Sequence, residues 1–287
     1  MPQMTVLEIL NRTKVFFEKK GVPDPLLDAQ YIISHGLGMK NRMDLYLNFE
    51  KPLTPAELDV LRPLVARRAA REPLQHIVGD TSFRGHSIKC DPRALVPRPE
   101  TEELVDMAKN LLNGVEAPFI VEIGTGTGAI AIACAKEIAS SRVLATDISE
   151  EALALAKENA EANGLGEELK FAQGDLLDAV KDSAKIDCLI ANLPYIPDGE
   201  KGKLQPEVDK FDPALALYGG PDGLTLVRKM LSQTEGKLAS GAPILLEIGS
   251  EQAAMLQSEA ANYPWLEFTG AHKDFCGNVR FVSYKAR

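Results

Sequence analysis

The sequence predicts an α/β protein: a doubly wound, mostly parallel sheet, preceded by a small helical domain and a short β-hairpin linker. Three observations carry that reading. After Ala117, short β-rich runs alternate with helical patterns, as expected for parallel strands joined by crossover helices. A glycine-rich turn, Gly124-Thr125-Gly126-Thr127-Gly128, joins the first of these strands to the first of these helices. The first 70 residues, by contrast, read as helices separated by glycine and proline.

In the helical domain, assigned to residues 1–80, Val6, Ile9, Leu10, Thr13, Phe16 and Phe17 recur at i, i+3, i+4 and i+7. That spacing lays one stripe along one helix face. Gly21, Pro23 and Pro25 separate this helix from the next, LLDAQYIISHGLG. Pro52 and Pro55 flank Thr54, the expected N-cap of AELDVLRPLVARRAA, within which Pro63 predicts a kink or a new helix. Residues 81–96, with Phe83, Ile88 and Leu95 among Gly85 and Pro92, read as the hairpin or linker. Pro99 followed by Glu100, Glu102 and Glu103 suits a helix N-terminus, where the backbone dipole favours negative charge, so the larger domain is drawn as 97–287. Its strands are expected at FIVEI, RVLATD, ELKFAQ, IDCLIAN, PILLEI, WLEFTGA and VRFVSYKA. AIAIACAKEIA, EEALALAKENAEAN and a stretch around Glu251 to Ala261 are expected as helices.

The chain has 287 residues, enough for two modest domains, and its 45% hydrophobic and 25% charged residues exclude a disordered or membrane-embedded class. No run approaches the ~20 apolar residues of a membrane span, and the start lacks the apolar core of a signal peptide, so a cytoplasmic location is expected. Lys and Arg number 32 against 41 Asp and Glu, a formal charge of -9 that argues against wide coating of nucleic-acid phosphates. Cys90, Cys134, Cys188 and Cys276 lie 44, 54 and 88 positions apart, and His35, His76, His86 and His272 are scattered, so no metal-ligand spacing is present. A monomer is expected, since nothing signals an obligate interface.

The first candidate site is the run from Glu122 to Ala129, between a strand and a helix. Glycines there let the backbone turn tightly and approach a ligand, and Glu122 is placed to orient the loop. Asp147 ends the next strand 23 positions after Gly124, placed to accept hydrogen bonds from ribose hydroxyls. A nicotinamide dinucleotide and S-adenosylmethionine both fit this arrangement. Asn192-Leu193-Pro194-Tyr195, after the fourth strand, decides between them. An amide or aromatic amine is a poor nucleophile, so an enzyme methylating one should orient it and accept its two N–H groups. The Asn192 Oδ1 and the Leu193 carbonyl suit that task, Tyr195 offers a flat face, and Pro194 stiffens the turn.

These residues resemble those of amino-methyltransferases with an Asn-Pro-Pro-Tyr-type motif. Together with Arg71-Glu72-Pro73-Leu74-Gln75, Pro97-Arg98-Pro99-Glu100-Thr101-Glu102, GTGTGAIAIA and Gly219-Gly220-Pro221-Asp222-Gly223-Leu224, they make nearly the whole chain similar to the PrmC/HemK family. The resemblance implies a Rossmann-like, seven-stranded S-adenosylmethionine-dependent methyltransferase domain. It also implies methylation of the glutamine amide in the Gly-Gly-Gln motif of class-1 peptide chain release factors, with S-adenosyl-L-homocysteine as product. By the same resemblance, Gly124, Thr125, Gly126, Thr127 and Gly128 wrap the methionine end of the cofactor. Asp147 holds the ribose, Asp175 and Leu176 contact the adenine, and residues 97–101 close over the pocket. Asn192, Leu193, Pro194 and Tyr195 hold the substrate amide and act as the catalytic set, Asn192 also bordering the cofactor. One position departs: the family's first proline is Leu193 here, giving the Asn-Leu-Pro-Tyr of ribosomal-RNA adenine dimethylases. A backbone carbonyl survives that exchange, while the fixed φ of proline is lost.

Two other enzyme readings stand beside this one: an adenine-N6 methyltransferase acting on RNA or DNA, and a glutamine methyltransferase acting on a ribosomal protein. A non-catalytic module that binds the cofactor and reports it to a partner is a further alternative. Arg62, Arg67, Arg68 and Arg71 form a basic run in an acidic chain, read as a solvated helix face or, more sharply, as a docking patch.

Overall fold

The computed structural model describes residues 4–180 and 185–287, and no element or site residue assigned above falls outside them. The chain forms two compact units, one of residues 1–80 with 204–211, the other of residues 81–203 with 212–287.

The first unit is built on α1 (Val6–Lys19), α2 (Pro25–Gly36), α3 (Asp44–Leu47), α4 (Pro55–Ala69) and α5 (Leu74–Val78). Thr5 and Thr54 start α1 and α4 with reciprocal capping boxes, in which the Glu57 amide donates to Thr54 Oγ1 and the Thr54 amide donates to Glu57 Oε2. Val6, Leu10, Thr13 and Phe17 of α1 are buried, whereas Phe16 is exposed, so the apolar stripe is narrower than its spacing suggests. Helix α4 runs without interruption past Pro63, against the expected new start. Asp59, whose carbonyl loses its helical donor there, and Pro63 are both on the exposed face, where water can satisfy the carbonyl.

The basic run divides: Arg62 stays on a solvated face, whereas Arg68 and Arg71 are drawn into ion pairs away from solvent. Arg68 is buried, donating to Asp28 Oδ2 at 2.7 Å and to Glu207 Oε1 at 2.9 Å. Arg71 forks onto both oxygens of Glu207 at 2.6 Å, Arg67 pairs with Glu72, and Arg62 with Asp59. Glu207 lies on a later short helix, α9 (Pro206–Phe211), so residues 204–211, drawn above as part of the sheet domain, belong to this first unit. Two clustered arginines require a carboxylate partner, and the chain supplies it from a segment more than a hundred positions away.

The second unit opens with a hairpin, β1 (Asp80–Phe83) and β2 (His86–Lys89), followed by α6 (Glu102–Leu111) behind a single 3₁₀ turn at Pro99–Thr101. Its sheet contains β3 (Phe119–Ile123), β4 (Arg142–Asp147), β5 (Leu169–Gln173), β6 (Cys188–Ala191), β7 (Pro243–Glu247), β8 (Leu266–Lys273) and β9 (Val279–Ala286). Their order is β5-β4-β3-β6-β7-β9-β8, parallel except for the pairs that β9 makes. Helices α7 (Ala129–Glu137), α8 (Glu150–Ala162), α10 (Thr225–Ser232) and α11 (Ala253–Glu259) complete it. Alternate strand residues point to opposite faces, so Ile120 joins the core cluster with α6 and α7, while Val121 and Ile123 join the one with α10 and α11. Among the described residues no helix is long and apolar enough to cross a membrane.

The order reverses between β3 and β6. The chain winds outward through β4 and β5, then returns to lay β6 on the other side of β3. Such a switch point leaves a crevice at the carboxyl ends of the strands.

Candidate active site

A cavity lies at that crevice, and Gly124, Thr125, Gly126, Thr127, Asp147, Asp175, Leu176, Asn192, Leu193 and Pro194 all line it. Gly128 and Tyr195 do not. Gly128 caps α7 with left-handed backbone and packs on Ala156, so it shapes the turn instead of facing the cavity.

The glycine loop is held by its own neighbours. The Gly124 and Thr125 amides both donate to the Thr146 carbonyl at 2.9 Å, and the Gly126 amide donates to Asp147 Oδ2 at 2.9 Å. The Thr125 hydroxyl donates to Glu122 Oε2 at 2.5 Å, and the Ala131 amide of α7 donates to the same oxygen at 3.1 Å. Glu122 thus ties strand, loop and helix together. Burial pushes its carboxyl up to about 8, despite those two hydrogen bonds, and nearby Asp147 adds to the rise. Burial also raises Asp147, opposed by backbone donors from Ser149 and Gly126. Leu176 both faces the cavity and joins the core beneath it. Asp175 pairs with Lys229.

This lining fits a nucleoside ligand. Asp147 presents a carboxylate for hydroxyls at the end of β4, and Ile148, Leu176 and Ala94 supply apolar wall for a flat base.

The second loop follows β6. Asn192 Nδ2 donates to Thr101 Oγ1 at 3.3 Å, the Thr101 hydroxyl donates to Glu247 Oε2 at 2.7 Å, and the Tyr195 hydroxyl donates to Glu247 Oε1 at 3.4 Å. Burial and the neighbouring Glu247 push the Tyr195 phenol up to about 12. The Tyr195 hydroxyl is thus directed to Glu247, and the residue is not among those that line the cavity. Leu193 is buried, and a Cβ on Gly124 would lie 3.2 Å from its Cδ2, so its side chain packs the two loops against each other where proline would stop short.

The late glycine motif is the bed of this loop. The Ile196 amide donates to the Leu217 carbonyl, and the Gly219 amide to the Ile196 carbonyl at 2.9 Å. A Cβ on Gly223 would stand 2.0 Å from the Tyr195 carbonyl oxygen, so no other residue fits there. Gln252 Nε2 bridges the Tyr195 and Asp222 carbonyls at 2.8 and 3.0 Å.

Residues 97, 98 and 101 line the cavity. Glu247 and Gln252 escaped the sequence reading. A carboxylate closing the buried apolar run PILLE at the carboxyl end of a parallel strand was the available signal for the first. Asp212, beside the cavity-lining Pro213, was missed as well; burial lifts its carboxyl to about 6, with Arg98 and a Val96 amide opposing.

Comparison with known proteins agrees with this geometry. A model of the PrmC N-terminal domain matches residues 8–79, and a model of a methyltransferase domain matches residues 120–210. The protein of Deinococcus radiodurans named release factor glutamine methyltransferase is 37% identical over 97% of this chain and 98% of its own. The Homo sapiens protein named MTRF1L release factor glutamine methyltransferase is 30% identical over 97% of this chain and 86% of its own. The solved hMettl16 catalytic domain, in complex with an RNA hairpin, shares the fold at a TM-score of 0.57 and 18% identity, covering 78% of this chain and 80% of that one. The cavity accordingly belongs to a methyltransferase domain that takes an S-adenosylmethionine-type cofactor. With relatives alike from end to end, the chain belongs to the release factor glutamine methyltransferase family.

Proposed function

We propose that this protein transfers the methyl group of S-adenosyl-L-methionine to the side-chain amide nitrogen of the glutamine in the Gly-Gly-Gln motif of class-1 peptide chain release factors. The observation that carries the substrate is the match of residues 8–79 to the PrmC N-terminal domain, because the tetrapeptide alone is equally suited to an adenine amine.

Gly124, Thr125, Gly126 and Thr127 take the methionine end, Asp147 the ribose hydroxyls, and Asp175 and Leu176 the adenine, with Gly128 acting through the turn it caps. The bound cofactor supplies an electrophilic methyl on a sulfonium and departs as S-adenosyl-L-homocysteine. Asn192 Oδ1 and the Leu193 carbonyl accept the two N–H groups of the substrate amide and set its plane, while Pro194 holds the turn. Orientation of this kind is worth roughly 7–11 kcal/mol in well-positioned systems. No residue of the loop needs to be a strong base, since the amide nitrogen becomes acidic only once alkylated, and the surplus proton then leaves late, to solvent or Asn192.

The reaction belongs to the cytoplasm, where release factors work, and the enzyme acts as a monomer. A formal charge of -9, with Arg68 and Arg71 of the basic run already paired to Glu207, speaks against extended nucleic-acid binding. Incubation with labelled S-adenosyl-L-methionine tests the reading, with a release factor, its Gln→Ala Gly-Gly-Gln variant, a ribosomal protein fraction and ribosomal RNA as acceptors. Label on the unmodified release factor alone is expected. Label on RNA alone moves the protein to adenine chemistry, label on the ribosomal fraction alone moves it to another glutamine, and label on none leaves a cofactor-binding module.

A further inference from the structure

We infer that Glu247 and Thr101 are positioning residues that orient the Asn192 carboxamide so that its Oδ1, and not its Nδ2, meets the substrate nitrogen. The inference rests on the reading of Asn192 as an acceptor for the substrate amide. A carboxamide has two nearly isosteric ends, and a flipped Asn192 would present donors to a group that itself donates. Something must hold one orientation.

The chain of hydrogen bonds does so. Glu247, 2% exposed at the end of β7, can only accept when ionised. The Thr101 hydroxyl therefore spends its proton on Glu247 Oε2 at 2.7 Å, and its lone pairs face Asn192 Nδ2 at 3.3 Å. With Nδ2 engaged, Oδ1 is the end left for an incoming N–H. The Tyr195 hydroxyl donates to the second carboxylate oxygen at 3.4 Å, so both ends of the tetrapeptide are referred to one buried anion.

Glu247 is loaded toward protonation. Burial raises its carboxyl, Glu100 adds to the rise, and Arg280 together with the Thr101 and Tyr195 hydroxyls opposes it. Protonation turns an obligate acceptor into a donor, frees Thr101 to rotate, and releases the constraint on Asn192. The rate should therefore fall on the acid side, as pH drops through a value above the usual carboxylate range.

The test uses the intact protein with a release factor as acceptor and S-adenosyl-L-methionine as donor. Thr101→Val keeps the shape and removes the hydroxyl; about a tenfold loss in kcat is expected, the size of one lost hydrogen bond, with cofactor Kd unchanged. Thr101→Ser should recover most of that loss. Glu247→Gln should flatten the acid limb of kcat. The Asn192 side-chain amide signals in a ¹H–¹⁵N spectrum, identified by their loss in Asn192→Asp, should move in Thr101→Val and titrate with the wild-type acid limb. Full kcat in Thr101→Val, or Asn192 signals that do not move there, overturns the inference. A wild-type protein that leaves the release factor unlabelled overturns the substrate reading instead, and the Asn192 signals still decide the orientation.

Discussion

The two loops that close the carboxyl ends of β3 and β6 are built in opposite ways. Side-chain partners of the glycine loop lie closer in sequence: Glu122 is 3 positions from Thr125 and 9 from Ala131, Asp147 is 21 from Gly126, and Asn159 is 32 from Thr127. The loop that carries Asn192 depends on residues 91, 52 and 57 positions away, at Thr101, Glu247 and Gln252. A cofactor loop of the first kind is supported by the neighbouring strand and helix, β4 and α8, that follow it in the chain after α7. An acceptor loop of the second kind needs β7 and the segment before α6 in place as well, so substrate chemistry depends on more distant parts of the chain than cofactor binding does.

Four substitutions would break or sharpen that contrast. The largest effect belongs to Asn192→Ala, expected to lower kcat by about 10²–10³-fold, as loss of a key polar contact at a reacting centre does. Cofactor affinity by calorimetry should stay within about twofold of wild type if the loops are separable. Equal losses in both would show that they are one structure.

Gly223→Ala should come next. Its Cβ would overlap the Tyr195 oxygen at 2.0 Å and Gln252 Nε2 at 2.4 Å, at a φ of +78°. Loss of about 3 kcal/mol in chemical denaturation is expected, with activity lost along with it. Gly126→Ala supplies the mirror image. At φ +54° and with Ala94 Cβ at 3.8 Å as the nearest obstacle, its cost is backbone strain of about 1–2 kcal/mol. Weaker cofactor binding is expected, with kcat nearly restored at saturating cofactor.

Glu122→Gln should perturb least at mildly acidic pH and is read as a slope. The unfolded chain ionises this carboxyl in the ordinary range near 4.5, whereas the folded one keeps its proton to about 8. Folding stability therefore falls with rising pH across that window and levels off above it. The variant should lose less melting temperature than wild type between about pH 5 and pH 8. An identical slope in both would remove Glu122 from the account.

Much of the fold was legible because periodicity is a local property. FIVEI, RVLATD and PILLEI read as strands and Thr54 as an N-cap, since buried parallel strands are continuously apolar and caps need one hydroxyl before a helix. No new helix starts at Pro63, because a missing helical hydrogen bond is costly chiefly where water is excluded, and its position is exposed. The pairing of Arg68 and Arg71 was illegible for a related reason. Charge read along a chain carries no information about a carboxylate on a distant helix, and Glu207 is 139 positions from Arg68.

The sequence by itself determined the order of strands and helices, the glycine turn with Asp147 at the next strand end, and the place of Asn192 after the fourth strand. Those depend on residues within a few turns of one another. Only the tertiary structure decided that Tyr195 turns to Glu247, that Gly128 caps a helix instead of facing the cavity, that Leu193 packs on the glycine loop, and which end of Asn192 is tied down. Each is a choice among near-equal local conformations, and buried partners from distant strands settle it once water has been excluded.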